Sequence, residues 1–260
     1  MNIVFVHANG MPGPVYAPLL KRVQSPVSVL PLLGHTPEYP VDDEWVSLTR
    51  EVEAHVQALG SGKCILVGHS LGALLSFRLA LKRPDLVAGL VMLDPPLFYG
   101  PMAWVMRSAK WLGQIALVTP AHLSKRRKRS WPDMASAEGY FRSKRFYATF
   151  HEECFQAWMQ SALTPTTDGV GLSFSVDTEV EIFRTTPLWL DRLPKKLAIP
   201  SLLVVGRQSE ACWKVCFDPF VQDFNLNLHT VDGDHMFPLK HLASTADLIN
   251  RFVDSLERPR

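Results

Sequence analysis

A serine set between glycines gives the strongest chemical signal in the sequence, where residues 68–72 read Gly-His-Ser-Leu-Gly. The apolar run at residues 65–67 before it is typical of a buried strand, and residues 73–75 after it favour a helix. A sharp turn between a strand and a helix would hold Ser70 in a strained conformation, with its hydroxyl clear of the sheet. A Gly-Ser turn alone is common, so the flanking strand and helix are what make Ser70 a candidate nucleophile.

A serine hydroxyl is a poor nucleophile unless a base takes its proton. Of the nine histidines, His235 stands directly after the last predicted strand, where a loop can lay the imidazole across the sheet edge towards Ser70. We therefore expect His235 to be the base. His69 is next to the serine and His7 ends the first predicted strand, and both are expected to shape the site instead.

The imidazole in turn needs a carboxylate that orients it, and in chain order this acid should fall between the serine and the histidine. Two carboxylates stand at strand ends. Glu210 follows the predicted strand at 201–205 and is the favoured acid, whereas Asp94 follows the strand at 87–93 and is the alternative. Asp232 and Asp234 are too close in sequence to His235 to reach its far nitrogen easily.

An oxyanion formed on the attacked carbonyl needs two converging hydrogen-bond donors. The backbone N–H of Leu71, directly after the candidate nucleophile, is the first. The second is expected from the loop after the first strand, residues 7–13, whose glycines and prolines let backbone N–H groups turn inward. We predict the Asn9 N–H for this role, with the Ala8 N–H as the next choice.

Along the chain, short apolar runs alternate with helical patterns, and the candidate residues lie at the ends of the apolar runs. This alternation is typical of a parallel sheet covered by helices. Strands are predicted at residues 3–6, 27–33, 64–68, 87–93, 201–205 and 227–231. The alternation disappears between the fourth and fifth of these runs. The prediction is therefore an α/β core at 1–96 and 199–260, interrupted by a mostly helical cap at 97–198 that starts at the ligand-binding edge of the sheet.

Composition narrows the classes of function. The chain has 260 residues, 47% of them hydrophobic, and its 27 Lys and Arg against 25 Asp and Glu give a net charge of +2. This balance gives little support to nucleic-acid binding. No apolar run reaches the roughly 18–20 residues of a membrane span, so no integral membrane association is expected. Four scattered cysteines and an N-terminus without a basic segment favour a cytoplasmic protein.

Residues 125–129 form a dense basic run, Lys-Arg-Arg-Lys-Arg. The run is predicted to be a solvated face, with an acidic substrate or an anionic lipid as the alternative ligands. Aromatic residues at helical spacing in the predicted cap favour packing, although some of them would face the cleft and make an apolar pocket.

Together these motifs resemble those of the α/β-hydrolase superfamily. Residues 68–72 match its serine turn, and residues 7–10 look like its His-Gly oxyanion loop, with Ala-Asn where glycine is usual. Residues 206–210 resemble the acid-bearing loop, with Glu where Asp is commoner, and residues 233–238 resemble the histidine loop. The resemblance covers both predicted core segments and the cap between them.

The resemblance implies an α/β-hydrolase fold and hydrolysis of a carboxylic ester through an acyl-enzyme. It implies a small-molecule ester substrate and no metal or organic cofactor. Two alternatives stay open, because the fold hosts many functions. The same triad serves thioester and C–C bond hydrolases, and a non-catalytic small-molecule receptor is a third possibility.

Overall fold

The computed structural model describes residues 1–60, 62–195, 197–211 and 214–257. Its strands are β1 (Ile3–Val6), β2 (Val27–Val29), β3 (Cys64–His69), β4 (Val87–Leu93), β5 (Ser130–Trp131), β6 (Leu163–Thr166), β7 (Gly169–Leu172), β8 (Ser201–Gly206) and β9 (Asn227–Val231). Six of them form one parallel sheet in the order β2-β1-β3-β4-β8-β9. The predicted α/β-hydrolase fold, a mostly parallel sheet with helices on its faces, is confirmed.

The helices are α1 (Ala17–Leu20), α2 (Val46–Ala58), α3 (Leu71–Lys82), α4 (Pro101–Trp111), α5 (Ile115–Val118), α6 (Ala121–Lys125), α7 (Met134–Arg142), α8 (Arg145–Ala148), α9 (Glu152–Ser161), α10 (Val176–Arg184), α11 (Lys214–Phe224), α12 (Phe237–Lys240) and α13 (Leu242–Glu257). Short 3-10 turns cover Gly13–Tyr16, Asp43–Trp45 and Leu190–Arg192. Within the described ranges, no helix is both long enough and apolar enough to cross a membrane.

The central strands are apolar on both sides because helices cover both faces of the sheet. Successive residues of β1 point to opposite faces: Phe5 packs in the core beneath α1 and α13, and Val4 packs against α2 and α3. A continuous apolar run, not an alternating one, is therefore the pattern that predicts these strands. The strands β1, β4 and β9 have the predicted bounds, whereas β2 is shorter than its apolar run.

The intervening segment, residues 97–198, contains helices and also a small antiparallel sheet in the order β5-β7-β6. This sheet departs from the mostly helical prediction. Its hairpin turns at Thr167 and Asp168. Gly169 follows with a φ of 133°, a conformation that residues other than glycine rarely adopt. The Asp-Gly pair was the local signal for this hairpin.

A buried ion pair joins α10 to the loop that follows α6. Glu179 on α10 is 3% exposed, and its Oε1 accepts hydrogen bonds from Arg127 Nη2 at 2.7 Å and from Ser124 Oγ at 2.9 Å. Arg127 also donates to the hydroxyl of Tyr147. A buried carboxylate is tolerated only when its charge is compensated, so the loop that carries Arg127 and α10 are tied to each other.

The first turn of α3 lies directly against the end of β1. A Cβ added to Gly72 would overlap the carbonyl oxygen of Val6 and would lie 2.8 Å from that of His7. Backbone atoms cannot move aside as a flexible side chain can, so only glycine fits here. This close approach fixes where the serine turn sits relative to the loop that follows β1.

Gly72→Ala should therefore destabilise the protein by about 3 kcal/mol, because the new methyl group would force the helix off the sheet. Gly139→Ala is the matched control: Gly139 lies inside α7 with open space around it, and alanine there should stabilise by up to about 1 kcal/mol. Thermal melting of both variants checks this. A Gly72→Ala protein that melts at the original temperature would contradict the packing described.

Arg127→Met should lower the free energy of unfolding by about 3–5 kcal/mol, because it leaves the buried carboxylate of Glu179 without its counter-charge. Arg129→Met is the control, since Arg129 pairs with Asp177, also on α10, but both side chains are exposed. That change should cost less than about 1 kcal/mol. Urea unfolding measures both, and equal losses would argue against a special role for the buried pair.

Candidate active site

Ser70 lies at the tip of the turn between β3 and α3. Its φ of 54° and ψ of −116° are strained for a residue with a side chain. The backbone N–H of Ser70 donates to the carbonyl of Leu93 at 2.9 Å, which ties the turn to the end of the neighbouring strand β4. Ser70 as a whole is 9% exposed, and it lies at the carboxyl edge of the sheet.

His235 reaches this hydroxyl from the loop between β9 and α12. Its Nε2 lies 3.0 Å from Ser70 Oγ. The loop is held in shape by Asp234, whose carbonyl accepts from the N–H of Phe237 at 3.0 Å and whose carboxylate accepts from the N–H of Met236. The structure thus brings together the serine and the histidine that the sequence singled out.

His69 fixes the backbone of the histidine loop. Its Nε2 lies 2.9 Å from the carbonyl oxygen of His235, and its Nδ1 lies 2.6 Å from the hydroxyl of Tyr16. Burial lowers the pKa of His69 well below its usual value, so the ring is neutral. In the tautomer that fits both partners, Nε2–H donates to His235 and Nδ1 accepts from Tyr16.

Like His69, His7 is buried and hydrogen-bonds through both ring nitrogens. Its Nε2 accepts from the N–H of Leu33 at 2.9 Å, and its Nδ1 donates to the carbonyl of Ala8 at 2.8 Å. Burial lowers the pKa of His7 to about 4. A neutral ring with both nitrogens engaged holds the loop after β1 and has no nitrogen left for Ser70.

The carboxylate that contacts His235 belongs to Asp94, directly after β4. Its Oδ2 lies 2.7 Å from His235 Nδ1 and also accepts from the hydroxyl of Ser209, while its Oδ1 accepts from the N–H of Gly206 at 2.8 Å. Asp94 is 0% exposed. Three donors around one buried carboxylate offset its loss of hydration. Because an ionised carboxylate can only accept hydrogen bonds, the imidazole of His235 carries its proton on Nδ1.

The prediction that favoured Glu210 as this acid is contradicted by these contacts. Glu210 is exposed, on the loop that leaves β8 four residues after the strand has ended. The same loop contributes Ser209, which hydrogen-bonds the carboxylate of Asp94 instead of supplying one. Asp94 was the alternative acid, and it is closer because β4 lies between β3 and β8 in the sheet.

The residues that carry the two predicted oxyanion donors line one small cavity. Leu71 and Asn9 both border it, together with His7, Gly10 and Glu179. In the described part of the chain, neither the Leu71 N–H nor the Asn9 N–H donates to another protein group. Both donors are therefore available to a ligand. Ala8, the next choice, is buried, and its carbonyl closes a turn with the N–H of Met11 at 3.1 Å.

The loop after β1 is also tied to the intervening segment. The side-chain amide of Asn9 donates to the backbone carbonyl of Glu179 at 2.9 Å. Glu179 lies so close to Gly10 that a Cβ there would be 2.8 Å from its Oε1. Sequence reasoning missed Glu179, and also Tyr16 and Ser209, because each acts through a partner that is distant in sequence.

No group of three or more His, Cys, Asp or Glu side chains that could hold a metal ion is found in the ranges that the structure covers. The three cysteines described, Cys64, Cys154 and Cys216, are buried and reduced. Burial raises the pKa of Cys64 to about 11 and that of Cys154 to about 12. These thiols lie in the core and take no part in the site.

Residues 3–248 match the model of the alpha/beta hydrolase family. Over 77 residues the chain is 39% identical to lipase LipV of Mycobacterium tuberculosis, which is 27% of each protein. Over 61 residues it is 38% identical to the sn-1-specific diacylglycerol lipase ABHD11 of Mus musculus, or 24% of this chain and 20% of that one. The chain thus aligns with only about a quarter of these curated relatives' length.

Among solved structures, E-2-(acetamidomethylene)succinate hydrolase superposes with a TM-score of 0.77 at 21% identity, over 98% of this chain and 92% of that one. Identity at this level supports the fold alone. The family match spans nearly the whole chain and includes every residue placed around Ser70 above. The chain therefore belongs to the alpha/beta hydrolase family.

Proposed function

We propose that this hydrolase is a serine carboxylesterase that cleaves small-molecule esters through an acyl-enzyme. The observation that carries the proposal is the unbroken line of hydrogen bonds from Ser70 Oγ to His235 and from His235 to Asp94. A serine, a histidine and a buried acid in this order can generate a nucleophile at neutral pH without a metal ion.

In the first half of the reaction, Ser70 Oγ attacks the ester carbonyl carbon while His235 Nε2 takes the hydroxyl proton. The carbonyl oxygen becomes an oxyanion, which the N–H groups of Leu71 and Asn9 stabilise. The tetrahedral intermediate collapses when the C–O bond to the alcohol breaks, and His235 returns the proton to the departing alkoxide. An alcohol leaves, and the acyl group stays on Ser70.

In the second half, His235 takes a proton from a water molecule, and the resulting hydroxide attacks the acyl carbonyl. The same two N–H groups stabilise the second oxyanion. The C–O bond to Ser70 breaks, the serine recovers its proton from His235, and a carboxylic acid leaves. Asp94 holds the imidazole in the required tautomer in both halves and stabilises its positive charge.

The predicted division into a core at residues 1–96 and 199–260 and a cap at 97–198 fits this proposal. The intervening segment supplies Phe174, Glu179 and Ile182 to the cavity beside Leu71. We assign it the role of a cap that excludes water from Ser70. The cavity beside Leu71 leaves no room for a long acyl chain in the closed arrangement, so larger esters would need the cap to shift.

The protein should hydrolyse p-nitrophenyl esters, with short acyl chains turned over faster than long ones because the cavity beside Leu71 is small. Release of p-nitrophenol across a series from acetate to long-chain esters measures this. Ser70→Ala should reduce turnover by about 10⁶-fold, to near background.

Activity that survives Ser70→Ala would refute the acyl-enzyme. No turnover on any ester, from a protein whose Ser70 still reacts with a fluorophosphonate, would instead point to a thioester or C–C bond substrate. A folded protein that shows neither turnover nor reaction would favour the receptor.

Asp94→Asn should lower kcat by about 10⁴-fold, because the amide can donate to Nδ1 and stabilise the wrong tautomer of His235. Glu210→Gln makes the same chemical change at the other sequence candidate and should leave kcat close to the original, since Glu210 is exposed. The same p-nitrophenyl acetate assay compares the two. A larger loss in Glu210→Gln than in Asp94→Asn would restore Glu210 as the acid.

A further inference from the structure

Helices α4 to α6 present a row of apolar side chains to solvent. Half of the large apolar side chains that are exposed in the described residues lie in this one stretch, which we call the α4–α6 face: Trp104, Val105, Trp111, Leu112, Leu117, Val118 and Leu123. Trp111 is 86% exposed, Leu117 is 69% and Trp104 is 67%. The other exposed apolar residues are scattered, so this face is a patch and not a random sample of the surface.

Poor packing of α4 does not explain why these apolar side chains are exposed. The inner side of α4 packs normally, with Met106 buried against Ile115 and Leu188. Trp104 and Trp111 point the other way, so α4 is apolar on both sides. A helix of this kind is expected to have something apolar against its outer side as well.

The charged side chains of the segment that carries the face are all basic. Residues 97–132 contain seven Lys and Arg and no Asp or Glu, whereas the rest of the chain holds 20 Lys and Arg against 25 Asp and Glu. Four of the seven are paired with acids from other segments: Arg107 with Asp191, Lys110 with Asp43, Arg127 with Glu179 and Arg129 with Asp177. Lys125 and Arg126 are exposed and form no salt bridge with any residue that the structure describes.

From this combination we infer that the α4–α6 face docks on an anionic phospholipid surface. Exposed tryptophans favour the boundary between headgroups and acyl chains, and unpaired Lys and Arg are attracted by anionic headgroups. A second copy of the chain is a poorer fit, because a two-fold contact would bring Lys125 and Arg126 of both copies together. An acidic protein would satisfy the charges but has no special need of exposed indole rings.

Docking on this face would bring the site close to the membrane. The segment starts directly after Asp94, at the carboxyl edge of the sheet, and Ser124 on α6 hydrogen-bonds Glu179 beside the cavity. If the proposed esterase activity holds, esters dissolved in the membrane become the natural substrate class. Docking itself does not depend on hydrolysis, so it is tested on a protein that cannot react.

The test uses Ser70→Ala protein and co-sedimentation with vesicles, either of phosphatidylcholine alone or of phosphatidylcholine with phosphatidylglycerol. Binding should be strong on the anionic vesicles, weak on the neutral ones, and reduced by salt. Adding Lys125→Glu and Arg126→Glu should weaken binding to the anionic vesicles by at least about 30-fold. Adding Trp111→Ser and Leu117→Ser should weaken it by at least about tenfold.

The matched control carries Leu59→Ser and Lys63→Glu, an exposed apolar and an exposed basic residue at the opposite edge of the sheet. It should bind as the Ser70→Ala protein does, and the melting temperature of each variant verifies folding. No vesicle binding, or equal binding by all variants, would overturn the inference. A dimer in solution that the Trp111 and Leu117 changes split, without vesicle binding, would make the face a self-interface instead.

Discussion

The buried carboxylate of Asp94 is the constraint on which the site depends. It lies at the junction of β4, β8 and the histidine loop, and its three donors come from Gly206, Ser209 and His235. A carboxylate removed from water must keep these donors, so it fixes the ends of two strands and one loop against each other. The imidazole is thereby held at a set distance from Ser70, whose own backbone is hydrogen-bonded to Leu93, the residue before Asp94.

The fold could be predicted largely from the sequence, because buried parallel strands leave continuous apolar runs that few other structures produce. Ser70 and His235 could also be predicted from the sequence, since Ser70 lies in a strand–turn–helix pattern and His235 follows the last strand. The sequence could not decide between Asp94 and Glu210 as the acid. Both follow strands, and only the spatial order of the strands brings Asp94 near His235. The small sheet of the intervening segment was missed, although Asp168 and Gly169 marked its turn.

The other contacts of the site could not be predicted because they join residues that are far apart in sequence. The amide of Asn9 reaches a carbonyl 170 positions later, and His69 reaches one 166 positions later. Neither contact leaves a local pattern in the sequence. They matter because the first joins the loop after β1 to α10, and the second joins the end of β3 to the histidine loop. The loop that carries Asn9, one of the two proposed oxyanion donors, is thus positioned partly by the intervening segment and not by the sheet alone.

The uneven distribution of charge has a consequence for how the molecule moves before any contact forms. Residues 97–132 are entirely basic in their charged side chains, and the remainder carries an excess of acidic ones. A chain with a net charge of only +2 therefore has an electric dipole, and a field rotates a dipole even where it hardly pulls on the net charge. Near an anionic surface, within the roughly 8 Å that salt leaves unscreened, the molecule would turn its basic end forward. Orientation and attraction are then separate effects: the dipole would orient the whole molecule, and Lys125 and Arg126 would attract it to the surface.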